Sequence, residues 1–418
     1  MGDPNVRRRA NSVSNRRTPV FSQSAERPGW AIRLLGVVCF LAVIAAVSLG
    51  TPDPAAANTT ALQVTAVGAP QRVHGSDGRE HIDYNLVITN AFTAEATLTS
   101  LVVRGGGKVL LALRGDALAA LTRPLASEDP TTSIPSASAV AVFVDIVLPR
   151  SARRTVPKRL HHRISYTLPP GAPVEAIIGS RTVRGPDLRV DRRVPIKIAP
   201  PLRGGGWVNA NGCCDPAENH RSTMLPANGT YAAPETFAVD YIRLVNGRFY
   251  RGDGTQNSDW FGFGAPIHAV ASGRVVSAVN NRPDVPPFTN LADNPTVTKP
   301  SQFGGNGVVV KIRPGQFAHY YHLQPDSVLV KVGQRVRTGQ KLGLFGNSGN
   351  TTGAHLHFGI TDGPRPLTSN SLPFEIDRFR FEGTAAAGPT PGELTLTGKP
   401  HAERRSHPLL TSVSDYSR

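Results

Sequence analysis

The sequence predicts a mainly β protein. Among its 418 residues are 41 glycines and 36 prolines, and only 6% of the residues are aromatic. This composition favours many turns and short strands over long helices. Apolar residues alternate with other residues at Tyr84, Leu86 and Ile88, and again along residues 140–148. Because strand side chains alternate between the two faces of a sheet, these runs predict strands that bury one face.

Composition changes along the chain predict its division into segments. Pro200-Pro201 and the glycines at 204–206 mark a boundary between two β domains. The first is expected to be sandwich-like, because several short strands are spaced by turns. The predicted segments are a basic cytoplasmic leader (1–29), an apolar segment (30–50), the sandwich-like domain (61–199), a second, compact antiparallel β domain (200–383) and a flexible tail (384–418).

The apolar segment predicts export from the cytoplasm. Residues 30–49 are apolar except for Arg33 and Ser48, and six arginines precede them. Basic residues before an apolar segment hold the N-terminus in the cytoplasm. Two interpretations remain open: a signal peptide cleaved near residues 55–57, or an uncleaved anchor of roughly 20 residues in the cytoplasmic membrane. Both place the rest of the chain outside the cytoplasm, anchored to the membrane or secreted to the cell wall.

The formal net charge of +16 predicts attraction to polyanions. An anionic cell-wall polymer or lipid surface is the expected partner. Nucleic acid is not expected, because the chain has no recognisable nucleic-acid-binding motif. Beyond the apolar segment the only cysteines are Cys213 and Cys214, which are adjacent. They form no disulfide framework, and either a vicinal disulfide or two packed thiols is expected.

The sharpest candidate for chemistry is His355-Leu356-His357. Alternate positions of a strand face the same side, so the two imidazoles should project together. Such a pair suits a metal ion or an acid–base pair. Tyr321-His322-Leu323 and a glycine-rich stretch at residues 346–353 precede it.

In this order, these motifs resemble the zinc metallopeptidase family that includes lysostaphin and LytM. The resemblance covers residues of about 200–383. It implies the duplicated hybrid motif fold, a compact antiparallel β domain with a groove across it. It also implies one Zn²⁺ per chain, and peptidoglycan as the substrate of an exported metalloendopeptidase that hydrolyses amide bonds.

The same resemblance implies roles for individual residues. Zinc is expected on His220, Asp240 and His357, while His322 and His355 are the expected catalytic histidines. In many family members the first two ligands are four residues apart, whereas here they are twenty apart. We interpret residues 221–236 as an inserted loop, expected to be mobile at the rim of the groove. Three further carboxylates are possible alternatives to Asp240 as a ligand: Asp215, Glu218 and Glu235.

A second hypothesis remains open, in which the protein is a catalytically silent relative that binds peptidoglycan or activates another wall hydrolase. Silent members usually lose metal ligands, and here every motif position is filled, which favours the active enzyme. A biotinyl-carrier-like domain is disfavoured, because no lysine occupies the centre of an exposed hairpin. The sequence does not identify which peptide bond is cleaved.

Overall fold

The computed structural model describes residues 58–417, apart from residues 126, 174, 216, 217, 291, 293 and 391. The predicted leader and the apolar segment at 30–50 lie outside the described residues. No helix within the described part is long and apolar enough to span a membrane. Residues Asn58–Arg418 form one compact unit.

The N-terminal part of this unit is built from short and medium strands with one helix of six residues. The strands are β1 (Leu62–His74), β2 (Arg79–Asn90), β3 (Ala96–Gly105), β4 (Lys108–Leu113), β5 (Thr122–Pro124), β6 (Ser133–Ile134), β7 (Ala139–Pro149), β8 (Arg159–Thr167), β9 (Thr182–Arg184) and β10 (Leu188–Arg189), and the helix is α1 (Gly115–Ala120). Short 3₁₀ turns occupy Arg150–Arg154 and Glu175–Ile177.

These strands form two antiparallel sheets around one core. The first sheet has the order β1-β2-β7-β5, and the second has the order β10-β8-β3-β4, with β6 and β9 pairing at its sides. The predicted alternation is confirmed, because Leu86 on β2 and Val142 on β7 are both fully buried in this core. Residues from both sheets share the core. The predicted sandwich-like fold is therefore confirmed.

The C-terminal part is also almost entirely β. Its strands are β11 (Ile196–Ile198), β12 (Trp207–Asn209), β13 (Leu225–Ala227), β14 (Thr230–Ala232), β15 (Val239–Arg243), β16 (Pro266–His268), β17 (Gly273–Val279), β18 (Asn306–Arg313), β19 (Gln316–Leu323), β20 (Arg335–Val336), β21 (Lys341–Leu344), β22 (Leu356–Thr361), β23 (Phe374–Ala387), β24 (Leu394–Thr397), β25 (His401–Ser406) and β26 (Ser412–Asp415). A one-turn helix, α2, spans Asn219–Ser222, and 3₁₀ turns occupy Asn257–Asp259, Pro300–Gln302 and Pro366–Thr368.

One large sheet organises this part. Its order is β11-β23-β26-β12-β15-β22-β19-β18-β17-β20, with β24 and β25 pairing with β23. Beneath it lies a second core, separate from that of the sandwich, which includes Trp207, Tyr320, Phe345 and Phe358. The strands β15, β22 and β19 are neighbours in this sheet and carry Asp240, His357 and His322, while His355 immediately precedes β22.

The flexible tail predicted for residues 384–418 is corrected by the structure. Strand β26 inserts between β12 and β23, and its residue Val413 is fully buried. His407 is fully buried as well, and its Nδ1 donates to the carbonyl oxygen of Phe374 at 3.1 Å. The C-terminal residues therefore complete the large sheet.

The segment interpreted as an inserted loop, residues 221–236, contains the hairpin β13–β14. Its turn residues Asn228 and Gly229 both have positive φ, at 49° and 80°, as a two-residue hairpin turn requires. The far end of the segment is fixed by Ser371. Its backbone N–H donates to the carbonyl oxygen of Ala233, and its Oγ accepts from the Phe237 N–H at 3.0 Å.

The near end of this segment is anchored to the sandwich by a buried arginine. Arg221 lies on α2 and is fully buried. Its guanidinium donates to Asp83 at 2.7 Å, to Asn85 at 2.5 Å and to two carbonyl oxygens of β2 and β7, and it lies over the ring of Phe143. An arginine fully surrounded by hydrogen-bond acceptors is the usual way in which a buried cation is tolerated. The residue before it is His220.

Cys213 and Cys214 form a disulfide between adjacent residues. Both are buried in a small apolar cluster with Val73 of β1 and Phe237. Of the two expected arrangements, the structure therefore contains the vicinal disulfide. Its position between β1 and the segment before β15 adds a second contact between the two parts of the unit.

Candidate metal centre and active site

Two of the predicted residues converge because of the sheet register. Asp240 on β15 lies directly opposite His357 on β22, and His357 lies directly opposite Tyr321 on β19, the residue before His322. Directly opposed residues have side chains about 5 Å apart. The His357 Nδ1 accordingly lies 3.0 Å from Asp240 Oδ1.

His220 reaches the same carboxylate from α2. Its Nε2 lies 3.2 Å from Asp240 Oδ2, and its ring centroid is 4.9 Å from that of His357. Its other nitrogen, Nδ1, faces the carbonyl oxygen of Ala238 at 3.4 Å. An Nδ1–H directed at a backbone carbonyl is the usual orientation of a histidine that binds a metal ion through Nε2.

The Asp240 carboxylate is held by several neighbours. Asn211 donates to its Oδ2 at 3.0 Å, and the His355 Nε2 lies 3.5 Å from its Oδ1. Burial by itself would raise the pKa of Asp240, but His220, His355 and His357 together hold that pKa well below its usual value. Burial tends to lower the pKa of His220, yet Asp240 raises it to about 9. The group at the centre of the cluster is thus a carboxylate anion.

The other two histidines stand beside this group. The ring centroids of His322 and His355 are 4.5 Å apart, and the His322 centroid is 6.1 Å from that of His357. His355 directs Nδ1 at the carbonyl oxygen of Gly353 at 2.8 Å, and His322 directs Nδ1 at that of Ser348 at 2.7 Å. In both rings the Nδ1–H is therefore the donor, and Nε2 is left to accept a proton.

Burial lowers the pKa of both these histidines. For His322 the lowering is large, because the neighbouring histidines His355 and His357 add to the effect of burial. For His355, burial outweighs the raising effect of Asp240 on its pKa. Both rings are therefore neutral near pH 7, which is the state that a proton acceptor requires.

The position of His322 depends on an unusual backbone conformation. Simple strand alternation would direct Tyr321 and His322 to opposite faces. His322 has a φ of 64°, and this left-handed conformation at the end of β19 lets its ring approach His357 from one side while Tyr321 stacks on it from another, with centroids 6.0 Å apart. Non-glycine residues adopt this conformation rarely, and more often at functional sites.

Glu235 was expected from the sequence only as an alternative metal ligand. A carboxylate oxygen of Glu235 lies within 4.8 Å of a ring nitrogen of His220 and of His357, so these three could hold a metal ion together. Glu235 follows the hairpin β13–β14 and lines the same cleft as Asp240. The other two alternatives, Asp215 and Glu218, are not part of this group.

The donor set fits a zinc ion. His220 offers Nε2, His357 offers Nδ1, and Asp240 offers a carboxylate oxygen, with Glu235 as an alternative carboxylate; these are the ligand types of catalytic zinc sites. Cys213 and Cys214 offer no thiolate to it, because they are joined to each other.

The site opens into a cleft of about 570 Å³. All five predicted residues line it, together with Glu235 and Asn211. Its lining also includes Arg123, Glu128 and Phe143 of the sandwich. The two parts of the compact unit thus share one cleft.

Comparison with known proteins gives a family match within the C-terminal part. Residues 259–369 match the model of peptidase family M23. The family resemblance inferred from the motifs is confirmed. This segment contains His322, His355 and His357, whereas His220 and Asp240 precede it.

Curated relatives match over short stretches. The chain is 36% identical over 84 residues to the peptidoglycan DD-endopeptidase ShyA of Vibrio cholerae serotype O1, which is 20% of this chain and 19% of the relative. It is 32% identical over 104 residues to ShyB of the same organism, also described as a peptidoglycan DD-endopeptidase, covering 25% of this chain and 19% of the relative. The chain therefore spans about a fifth of the length of these relatives.

Solved structures give weaker likenesses. The catalytic domain of the prophage-encoded M23 protein EnpA from Enterococcus faecalis, in a variant form, is 20% identical with a TM-score of 0.23, covering 40% of this chain and 88% of that one. The catalytic domain of lysostaphin from Staphylococcus simulans is 20% identical with a TM-score of 0.22 and the same coverages.

Proposed function

We propose that this protein is an exported zinc metalloendopeptidase that hydrolyses amide bonds in the peptide part of peptidoglycan. The observation that carries the proposal is that His220 and His357 both contact the Asp240 carboxylate, at 3.2 and 3.0 Å, with His322 and His355 beside them. Three ligands leave a position for water and substrate in a catalytic zinc site. The M23 match and the relatives described as peptidoglycan endopeptidases support the substrate class.

In this mechanism His220, Asp240 and His357 would hold the ion, and Asn211 orients the Asp240 carboxylate by donating a hydrogen bond to it. A zinc ion bound there would lower the pKa of a water molecule and polarise the scissile carbonyl. His355 and His322 provide the proton transfers: each has a neutral Nε2 beside the ligands, held by an Nδ1–H that donates to a backbone carbonyl. Once one of them is protonated, its Nε2–H can donate to a developing oxyanion.

The sandwich contributes to substrate binding in this proposal. Its residues form one wall of the cleft, so a peptide bound at the histidines would also contact β5 and β7. The proposal places the chain outside the cytoplasm, since peptidoglycan lies there and the apolar segment at 30–50 is a predicted signal peptide or anchor.

Digestion of purified peptidoglycan tests this function. The full chain is incubated with peptidoglycan, with and without a zinc chelator, and the soluble fragments are identified by mass. New amino and carboxyl termini on peptide stems, absent with chelator and absent for His355→Ala, are expected. New reducing sugar ends with intact peptides would rule the proposal out, because glycoside hydrolysis uses paired carboxylates. Binding without any cleavage would favour the catalytically silent alternative.

A further inference from the structure

A concave basic surface lies at the edge of the large sheet away from β15. It is a shallow, open surface of about 870 Å³ formed by β17, β18 and β20, and it is lined by residues 272–274, 311–314, 335–337 and 340. We call it the basic groove. Five of its eleven lining residues are cationic and none is acidic: Arg274, Lys311, Arg313, Arg335 and Arg337. All five are exposed.

Three of these cations form a row across three adjacent strands. Lys311 on β18 lies directly opposite Arg274 on β17, and Arg274 lies directly opposite Arg335 on β20. Opposed residues are about 5 Å apart, and like charges at such positions destabilise a sheet. None of the ion pairs found among the described residues includes these cations. The fold thus contains a row of cations that repel one another, and a bound anion would offset this repulsion.

The row is partly ordered. The Arg274 guanidinium donates to the carbonyl oxygen of Gly333 at 2.7 Å, and the Lys311 ammonium lies 5.9 Å from the centre of the Phe317 ring. These contacts hold the side chains near their positions before any ligand binds, which lowers the entropy lost on binding.

The groove is distinct from the catalytic cleft. Strand β19 separates β18 from β22, which carries His357. Across the sheet, His357 on β22 lies opposite Tyr321 on β19, and Tyr321 lies opposite Gly307 on β18. Lys311 of the groove is four residues beyond Gly307 along β18. With strand spacings of about 4.8 Å and a rise of about 3.3 Å per residue, the groove lies on the order of 15 Å from the histidines. The two sites share none of their lining residues.

We propose that the basic groove binds a linear polyanion with a phosphate group in each repeating unit, as an anchoring site separate from the peptidase cleft. Four of the five cations are arginines, whose planar guanidinium groups match phosphate oxygens in pairs. The row extends over two strand spacings, about 10 Å, which exceeds one phosphate and suits successive charges of a chain. This proposal does not depend on the proposed peptidase activity.

A polymer is favoured over an anionic bilayer by the shape of the surface. The groove is concave, and its aliphatic lining residues Val336 and Ile312 are buried and half-buried, so neither protrudes to insert between lipids. Pro314 is the exposed apolar residue of the lining. A bilayer still needs a direct test, because Val332 is 63% exposed on the turn before β20. Membrane-surface sites typically combine cations with such protruding apolar side chains.

Binding of the full chain to long-chain sodium polyphosphate, measured by calorimetry at several salt concentrations, tests the proposal. The groove variant is Arg274→Gln, Lys311→Gln and Arg335→Gln together. The matched control is Arg159→Gln, Arg163→Gln and Arg184→Gln, which removes the same charge from exposed residues of β8 and β9 that include the facing pair Arg163 and Arg184.

The groove variant should bind polyphosphate at least about tenfold more weakly, with a shallower salt dependence, while the control changes affinity by less than about threefold. Equal losses in both variants would overturn the proposal and assign binding to overall charge. Groove-dependent binding to phosphatidylglycerol–phosphatidylcholine vesicles that is tighter than binding to polyphosphate would overturn the polymer assignment.

Urea denaturation should show an unchanged or higher midpoint for the groove variant, since it relieves facing charges. The single variant Arg335→Gln on the short edge strand β20 should show a smaller loss of affinity in the same direction, and no loss would count against the proposal.

Discussion

Replacement of Arg221 by methionine tests how the sandwich supports the metal centre. Arg221 and Asp83 form an ion pair of 2.7 Å in which their side chains are 0% and 1% exposed. Methionine keeps much of the side-chain volume but removes the cation, so the Asp83 carboxylate is left buried without its partner. Breaking a buried pair on one side typically costs about 3–5 kcal/mol. Burial already raises the pKa of Asp83 above its ordinary value, so protonation will limit the cost and place it near the lower end of this range.

The assay is urea denaturation of the full chain followed by tryptophan fluorescence, together with zinc affinity measured by competition with a chelator. Because Arg221 is adjacent to His220, we also expect zinc affinity to fall about 10-fold to 100-fold, as for other residues that orient metal ligands. The matched control is Arg248→Met, whose pair with Glu393 is exposed and should contribute less than about 1 kcal/mol. A stability loss in Arg221→Met no larger than in Arg248→Met, with unchanged zinc affinity, would refute the reasoning.

Three further predictions follow from the site and the core. His322→Ala and His355→Ala should each reduce turnover by on the order of a hundredfold with zinc retained, measured by peptidoglycan digestion and metal analysis; normal turnover in both would contradict the assignment. Glu235→Gln should weaken zinc binding by about tenfold, and Asp240→Asn by more, in a chelator competition; equal affinities for Glu235→Gln and the wild type would show that the carboxylate is not a ligand. Burial lowers the pKa of His407 from 6.5 to about 3, so the unfolded chain binds the extra proton as the pH falls below 6.5. The wild type should therefore lose about 1.6 kcal/mol more stability between pH 6.5 and pH 5 than His407→Leu, and equal losses in denaturation curves at the two pH values would contradict this.

The strands of the sandwich could be predicted because their alternation is strong. Val142 and Leu86 belong to runs in which every second residue is apolar, and only a strand buries such a pattern on one side. Strand β26 has no such run. Val413 is its one apolar residue, between Ser412 and Ser414, and its place in the sheet comes from pairing with β12 and β23. Tertiary pairing of this kind leaves no local signal, which is why the C-terminal residues were wrongly predicted as a tail.

The candidate site was predictable to the extent that it depends on local spacing and family motifs. His355 and His357 were expected on one side of a strand, and both rings lie beside Asp240. The roles assigned to the five residues stay predictions. The closeness of Glu235 to His220 and His357 could not be predicted from the sequence, because it depends on the tertiary position of the segment that contains the hairpin β13–β14. Asn211 carried no signal at all, since a lone asparagine in a turn is ordinary.

Zinc content tests the central claim most directly. Elemental analysis of purified full-length wild type, His357→Ala, Asp240→Ala, His355→Ala and His322→Ala compares the proposed ligands with the proposed catalytic histidines. The account predicts about one zinc per chain in the wild type, His355→Ala and His322→Ala, and most of the zinc lost in His357→Ala and Asp240→Ala. Full zinc retention in both His357→Ala and Asp240→Ala, or loss of zinc in His322→Ala and His355→Ala alone, would contradict it.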